Sequence, residues 1–404
     1  DSTSAVTARG QRRLGLKQSA LAEILGPQVI SDVAFVGRDT YGGQGAAIGI
    51  LFQARTTTLL KIDLTAQRNE ALAAEKENGA TEELLKIHGH DVSFMSTPDN
   101  AFRSFYAVDG DFHLVTTSRA IVERFFEAGA GNRALGNSKE FRYARSIMPL
   151  EREDTVFAFF SSMFFESLLS PQYQIELERR LKATTDIELI KMARWAAYLE
   201  GKPNQTIDDL IRGGLLPEGF GRRPDGSGPI VSDDRIIDSM RGAPGSFLPV
   251  PDVPIRAVTR AEHARYVARA NYYRRNWKQM DPLMVALKRY ALDDAGRERL
   301  SIDAHIAPLD DGKYSWLMSS LGAPTTSQVV PPEGNIVLIQ AAIRGGLLFP
   351  SIPPHTMFLG IQDNRPLTDL RPGGLLKTLQ IIRTTPGFLG AWPKPGFLDL
   401  LPFG

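Results

Sequence analysis

Apolar side chains at positions 121, 122, 125 and 126 recur at the spacing of one helix face, and Ser118 stands where an N-cap belongs, which predicts a helix over 118–128. Just before it, the strand-like runs 101–108 and 112–116 flank Asp109-Gly110-Asp111, and an Asp-Gly between such runs is a strong hairpin signal. Upstream, residues 83–88 read as a strand and 65–78 as a charged, alanine-rich helix ended by Gly79. Runs 33–36 and 46–52 read as a hairpin turning at Gly42-Gly43-Gln44-Gly45, and 14–26 as a short helix stopped by Gly26-Pro27. Paired strands alternating with single helices predict an α+β unit over 1–130, with helices packed on one face of its sheet.

A polar connection over 131–153 leads to a second α+β unit over 154–365. It opens with a strand at 154–161 and continues into a long amphipathic helix at 172–200. Residues 201–258 are rich in Gly and Pro, so loops are expected around a short helix at 206–212. Helices at 260–277 and 282–292, a strand at 300–306, a helix at 311–321 and strands at 335–344 and 357–362 complete the unit. The fold class is therefore α+β, two units of mixed or antiparallel sheet, followed over 366–404 by a Pro-rich tail or the start of a further domain.

Composition narrows the chemistry. The 404 residues contain no cysteine, which removes thiol nucleophiles, thiolate zinc sites and iron–sulfur clusters together. Lys and Arg total 47 against 46 Asp and Glu, so no overall field draws in nucleic acid, and none is expected as a partner. The strongest apolar run, 155–165, falls short of the ~18 residues a membrane helix needs. The chain begins at Asp1 rather than methionine, so the expectation is a removed targeting segment or a fragment, with a membrane anchor outside the chain left open. Freedom from cysteine fits a protein exported without disulfides, periplasmic or at the cell surface.

No catalytic motif and no cofactor site emerge. The glycines at 42–49 lack the helix that a dinucleotide loop needs, and neither a P-loop nor a G-x-S-x-G elbow occurs. His88 and His90, with Asp91 beside them, are the candidate metal ligands, because imidazoles at i and i+2 share one face of a strand. Gly89 between them favours histidines on a solvated loop. Aspartate doublets such as Asp208-Asp209 suit helix starts, where carboxylates meet the positive end of the dipole. Tyr266, Ala270, Tyr273 and Trp277 form one helical stripe, read as a packed face rather than a base-stacking surface. Candidate docking residues are Phe388, Trp392 and Phe397, set among prolines in the tail, and Arg222 and Arg223 in an arginine-rich loop.

Two stretches, Phe112-His-Leu-Val-Thr-Thr-Ser-Arg-Ala-Ile-Val122 and the loop-rich segment 206–226, resemble large exported bacterial envelope proteins of unknown function. The resemblance implies an envelope location, a scaffolding role and no assigned catalytic residues. The expected function is a non-catalytic structural or protein-interaction component of the envelope, with other protein subunits as partners. The alternative is a hydrolase or small-ligand-binding protein whose site gathers dispersed His and Asp residues.

Overall fold

A computed structural model describes residues 10–16, 28–39, 45–232, 235–276, 281–291, 298–307, 312, 335–343 and 355–362. The chain divides into two compact units, Val6–Ala307 in one and Asp1–Ala5 with Pro308–Gly404 in the other.

The Val6–Ala307 unit is built on a six-stranded antiparallel sheet. Its strands are β1 (Ile30–Gly37), β2 (Ile48–Ala54), β3 (Thr81–Ile87), β4 (His90–Ser96), β5 (Arg103–Asp109) and β6 (Phe112–Thr116), in the order β1-β2-β6-β5-β4-β3. Helix α1 (Thr57–Ala74) links β2 to β3, and α2 (Arg119–Gly129) follows β6. The hairpins expected from the pattern form: β1 pairs with β2, and Asp109 faces Phe112 across the two-residue loop Gly110-Asp111. Strand β4 was not foreseen. The chain reverses at His88-Gly89, with φ of 49° and 83°, the double positive φ that a type I′ hairpin turn requires.

The sheet is covered on both faces, where one covered face was expected. Adjacent strand residues point to opposite sides. Leu114 joins Phe105, Ala107, Ile121, Val122 and Phe126 beneath α2, while Val115 joins Tyr106, Leu60 and Leu64 beneath α1. The cause is visible in β5 and β6, where the apolar run is continuous rather than alternating, as befits strands buried on two sides. Each such core side chain contributes about 1.5–3 kcal/mol by burial.

Downstream come α3 (Lys139–Ile147), β7 (Val156–Phe160), α4 (Ser162–Leu168), α5 (Pro171–Leu199), α6 (Ile207–Arg212), the hairpin β8 (Pro229–Val231) with β9 (Ile236–Asp238), α7 (Arg260–Asn276), β10 (Leu283–Ala291) and β11 (Glu298–Ile306). Helix α3 lies inside the expected connection, capped by Ser138, whose hydroxyl accepts from the Phe141 amide. Strand β10 replaces an expected helix. It is the centre of a three-stranded antiparallel sheet, paired with β7 on one side and β11 on the other. Its residues Met284 and Ala286 alternate into a core with Ala144 and Met148 of the α3 segment. A short apolar run does not distinguish helix from strand by period, so pairing on both sides decides. Helix α6 opens with a full capping box: Thr206 accepts from the Asp209 amide and Asp209 accepts from the Thr206 amide. Asp209 thus fills the helix-start role expected of the doublet.

In the other unit, β12 (Asn335–Ile343) and β13 (His355–Gln362) pair as an antiparallel hairpin. The expected helix at 311–321, the tail at 366–404 and most of the helix expected at 14–26 lie outside the described residues. Among the described residues no helix is long and apolar enough to cross a membrane.

Candidate functional site

Helix α5 is 29 residues long, about 43 Å at 1.5 Å per residue. Its inward face is charged in the first half, with Glu176, Arg179, Arg180 and Asp186 buried, and apolar in the second, with Ile187, Ile190, Ala193 and Ala197. The charges are satisfied by the Gly/Pro-rich segment that follows. Arg241, fully buried, donates to Glu176 from Nε at 2.8 Å and from Nη2 at 3.0 Å, to Asp225 at 2.7 Å and to Ser227 Oγ at 2.9 Å. Arg223 donates to Asp186 at 3.1 and 2.9 Å and pairs with Asp238. Arg179 donates to Glu262 of α7 at 2.8 Å.

Burial on its own would raise the Asp225 carboxyl, but the hydrogen bonds from Arg241 and Ser227 outweigh it and hold the group at about 2. The Arg179 hydrogen bond holds Glu262 at about 2 against the opposing effect of burial. This network fixes the segments 222–232 and 235–262 onto α5. Arg223, expected at a docking surface, is therefore an internal residue, while its neighbour Arg222 is exposed.

The outward face of α5 has the opposite character. Leu181, Met192, Trp195 and Leu199 fall at i, i+11, i+14 and i+18, one stripe diametrically across the helix from the buried residues. They are exposed, Trp195 to 69%, and Tyr198 and Leu189 flank them. Within the stripe, at i+7 from Leu181, Glu188 pairs with Lys191 at 2.7 Å and separates Leu181 from the Met192–Leu199 cluster. The second half of the helix thus carries apolar residues on its exposed face as well as on its buried one. The sequence signal was present: a helix with apolar residues on two opposite faces has one more apolar face than its own core uses.

A second feature lies between α1 and the sheet. A cavity of about 270 Å³ is walled by Lys61, Thr65, Arg68 and Asn69 of α1 and by Leu84, Ser93, Met95 and Tyr106 of the strands, with Glu82 and Asp91 at its rim. Arg68 is 1% exposed, yet its partners are neutral oxygens: Ser93 Oγ at 2.9 Å, the Ser104 carbonyl at 3.2 Å and Ser104 Oγ. Burial pushes this guanidinium down to about 10. On the same face Tyr106 Oη lies 2.8 Å from His113 Nδ1. Burial pushes the phenol up to about 12 and the imidazole below its ordinary value, with Lys61 adding to the second effect. His113, which sequence reasoning did not single out, is buried and its Nε2 has no partner.

The candidate metal ligands do not converge. His88 is in the turn, so His88 and His90 are not on one continuous strand. His90 stacks on Phe126 at 4.2 Å on the α2 face, while Asp91 faces the α1 side and pairs with Lys86 at 2.7 Å. Among the described residues no group of three His, Asp or Glu side chains could hold a metal ion. Tyr266 and Ala270 are half-buried on α7, and the side chains of Tyr273 and Trp277 lie outside the described residues, as do Phe388, Trp392 and Phe397. No known family model, curated protein or solved structure matches this chain.

Proposed function

We propose that this chain is a non-catalytic assembly component that pairs with a second copy of itself through the outward face of α5. The apolar stripe from Leu181 to Leu199 carries the reading. Met192, Trp195 and Leu199, at i, i+3 and i+7, are 65%, 69% and 70% exposed and form a cluster at the C-terminal end of the helix, more than scattered surface hydrophobics present on a monomer. A stripe of this kind on a long helix is self-complementary when two copies cross about a two-fold axis, the commonest symmetry of soluble oligomers. The neutralised Glu188–Lys191 pair, at the Leu181 end of the cluster, gives identical faces no net charge to repel. An exported, envelope setting belongs to the same proposal and is supported by the cysteine-free composition.

Sedimentation velocity on the full chain tests the pairing. The expected result is a concentration-dependent dimer for the wild type and a monomer for the double variant Met192→Lys, Trp195→Lys, with both melting at the same temperature at concentrations where the wild type is dissociated. A wild type that stays monomeric throughout the micromolar range, or a variant that still dimerises, overturns it.

A further inference from the structure

The cavity beneath α1 combines three properties that together specify a ligand. Its wall carries two cations, Lys61 and Arg68, that have no carboxylate within ion-pairing distance among the described residues. Elsewhere in the Val6–Ala307 unit the buried Arg103, Arg179, Arg180, Arg223 and Arg241 each have one, while the buried Arg13, which donates to the Phe247 carbonyl, shares the lack but does not line this cavity. The two acids at the rim are already engaged: Asp91 pairs with Lys86, and Glu82 accepts from Ser93 Oγ at 2.7 Å, with that hydroxyl standing between it and Arg68. The remaining lining combines the polar Thr65 and Asn69 of α1 with Leu84, Met95, Val108 and the ring of Tyr106 from the strands.

A buried guanidinium solvated by hydroxyls and a carbonyl is costly unless an anion joins it, and Nε of Arg68 keeps its hydrogen unpaired. Lys61, one helix face away at i−7, stands about 10 Å along α1 and adds a second positive charge to the same wall. The apolar floor offers nothing to a bare inorganic anion but does fit a hydrocarbon body.

We propose that this cavity binds small organic carboxylates, with Arg68 receiving the carboxylate and Leu84, Met95, Tyr106 and Val108 enclosing the apolar part. The ligand adds a directly bonded counter-charge to the more distant field of Glu82, without displacing the Ser93 and Ser104 contacts. This site shares no residue with the α5 stripe.

Isothermal titration of the full chain with hexanoate at neutral pH and low salt tests it, with hexylamine and inorganic phosphate as controls. Saturable one-site binding of hexanoate alone is expected, weakened about tenfold or more in Arg68→Gln by loss of one charge-assisted pair. Because Arg68→Gln removes buried contacts, Leu84→Trp, at an exposed rim position, supplies a second variant that blocks the volume and leaves Arg68 in place. It is expected to abolish binding while the melting temperature holds. A hexadecanoate arm separates sources: tighter binding than hexanoate assigns lipid-derived acids, weaker binding assigns short free acids. Absence of hexanoate binding, equal affinity in Leu84→Trp, or phosphate binding as tight as hexanoate overturns the proposal.

Discussion

Asp252 caps a helix that begins more than a hundred residues before it: its Oδ1 accepts a hydrogen bond from Ser118 Oγ at 2.7 Å. The same carboxylate accepts from the backbone amides of Arg119 at 2.9 Å and Ala120 at 3.1 Å, and pairs with Arg103 of β5 at 3.1 Å. Ser118, in the N-cap position, makes no cap hydrogen bond of its own. The orphan donors of α2 are therefore satisfied by a residue from the segment locked onto α5, and the negative charge sits at the positive end of the helix dipole. Replacing Asp252 by Ala removes the cap and leaves the buried Arg103 without its partner. A loss of about 2–4 kcal/mol is expected from denaturant unfolding, against about 1 kcal/mol or less for Ser118→Ala. Equal effects of the two substitutions would show that the carboxylate is not the cap.

The charge network inside α5 gives a sharper contrast. Arg241→Met leaves the fully buried Glu176 with only the Arg180 guanidinium at 3.3 Å and Asp238 with only Arg223, and removes the 2.7 Å bond to Asp225. Breaking a buried pair from one side costs about 3–5 kcal/mol, whereas replacing a whole network by apolar groups of like shape is often neutral. The single substitution should therefore lower the urea midpoint strongly, and the double variant Arg241→Met, Glu176→Met should recover part of the loss. A double variant as unstable as the sum of its singles would mean that the two side chains act separately.

These two relationships also show what the sequence could and could not reveal. The hairpin at Gly110-Asp111, the helix after Ser118 and the capping box at Thr206 are local, and local chemistry made them legible. Strand β10 was misread because its strand identity comes from partners at 156–160 and 298–306, distant in the chain. His88 and His90 looked like a ligand pair because the positive φ at both turn positions is a tertiary fact that His88 tolerates and does not announce. Arg223 and Arg68 were hidden for a common reason. A charged side chain reads as surface until its partners are known, and Asp186, Asp238, Ser93 and Ser104 lie between 15 and 37 residues away.

Acid should loosen the same network. Glu262 and Asp225 are both held at about 2 in the fold, below the ordinary 4.5 and 3.8. A carboxyl whose folded value is depressed binds its proton more readily when unfolded, so its contribution is complete above the ordinary value and is lost as pH falls through the folded one. Stability should therefore fall between about pH 4.5 and pH 2. Urea unfolding at about pH 7, 4 and 3 measures the decline. Glu262→Gln should be less stable at neutral pH and show a shallower decline. An unchanged slope would place the acid-sensitive groups elsewhere, with Glu75 beside Arg12, also depressed, as the next residue to replace.

Gly45 offers a test of how the β1–β2 hairpin meets the segment near 247. Its φ is +96°, in the region that disfavours side chains, and a Cβ built there would overlap the Phe247 carbonyl oxygen. That carbonyl also accepts from Arg13 Nη2 at 3.3 Å, and the Phe247 ring is buried beneath Arg180. The neighbour that must yield is thus backbone held in a packed, charged setting rather than the end of a flexible side chain. Gly89 provides the comparison: its φ is +83°, but a Cβ there meets open space. Both Gly→Ala substitutions introduce backbone strain of about 1 kcal/mol, and only Gly45→Ala adds a steric conflict. Chemical denaturation should rank Gly45→Ala well below Gly89→Ala, with Gly45→Ala also disturbing the environment of Arg13 and Arg180. Equal losses would mean that the strand pair and the Phe247 backbone can separate freely, and that the contact is not part of what holds the N-terminal sheet to the later segment.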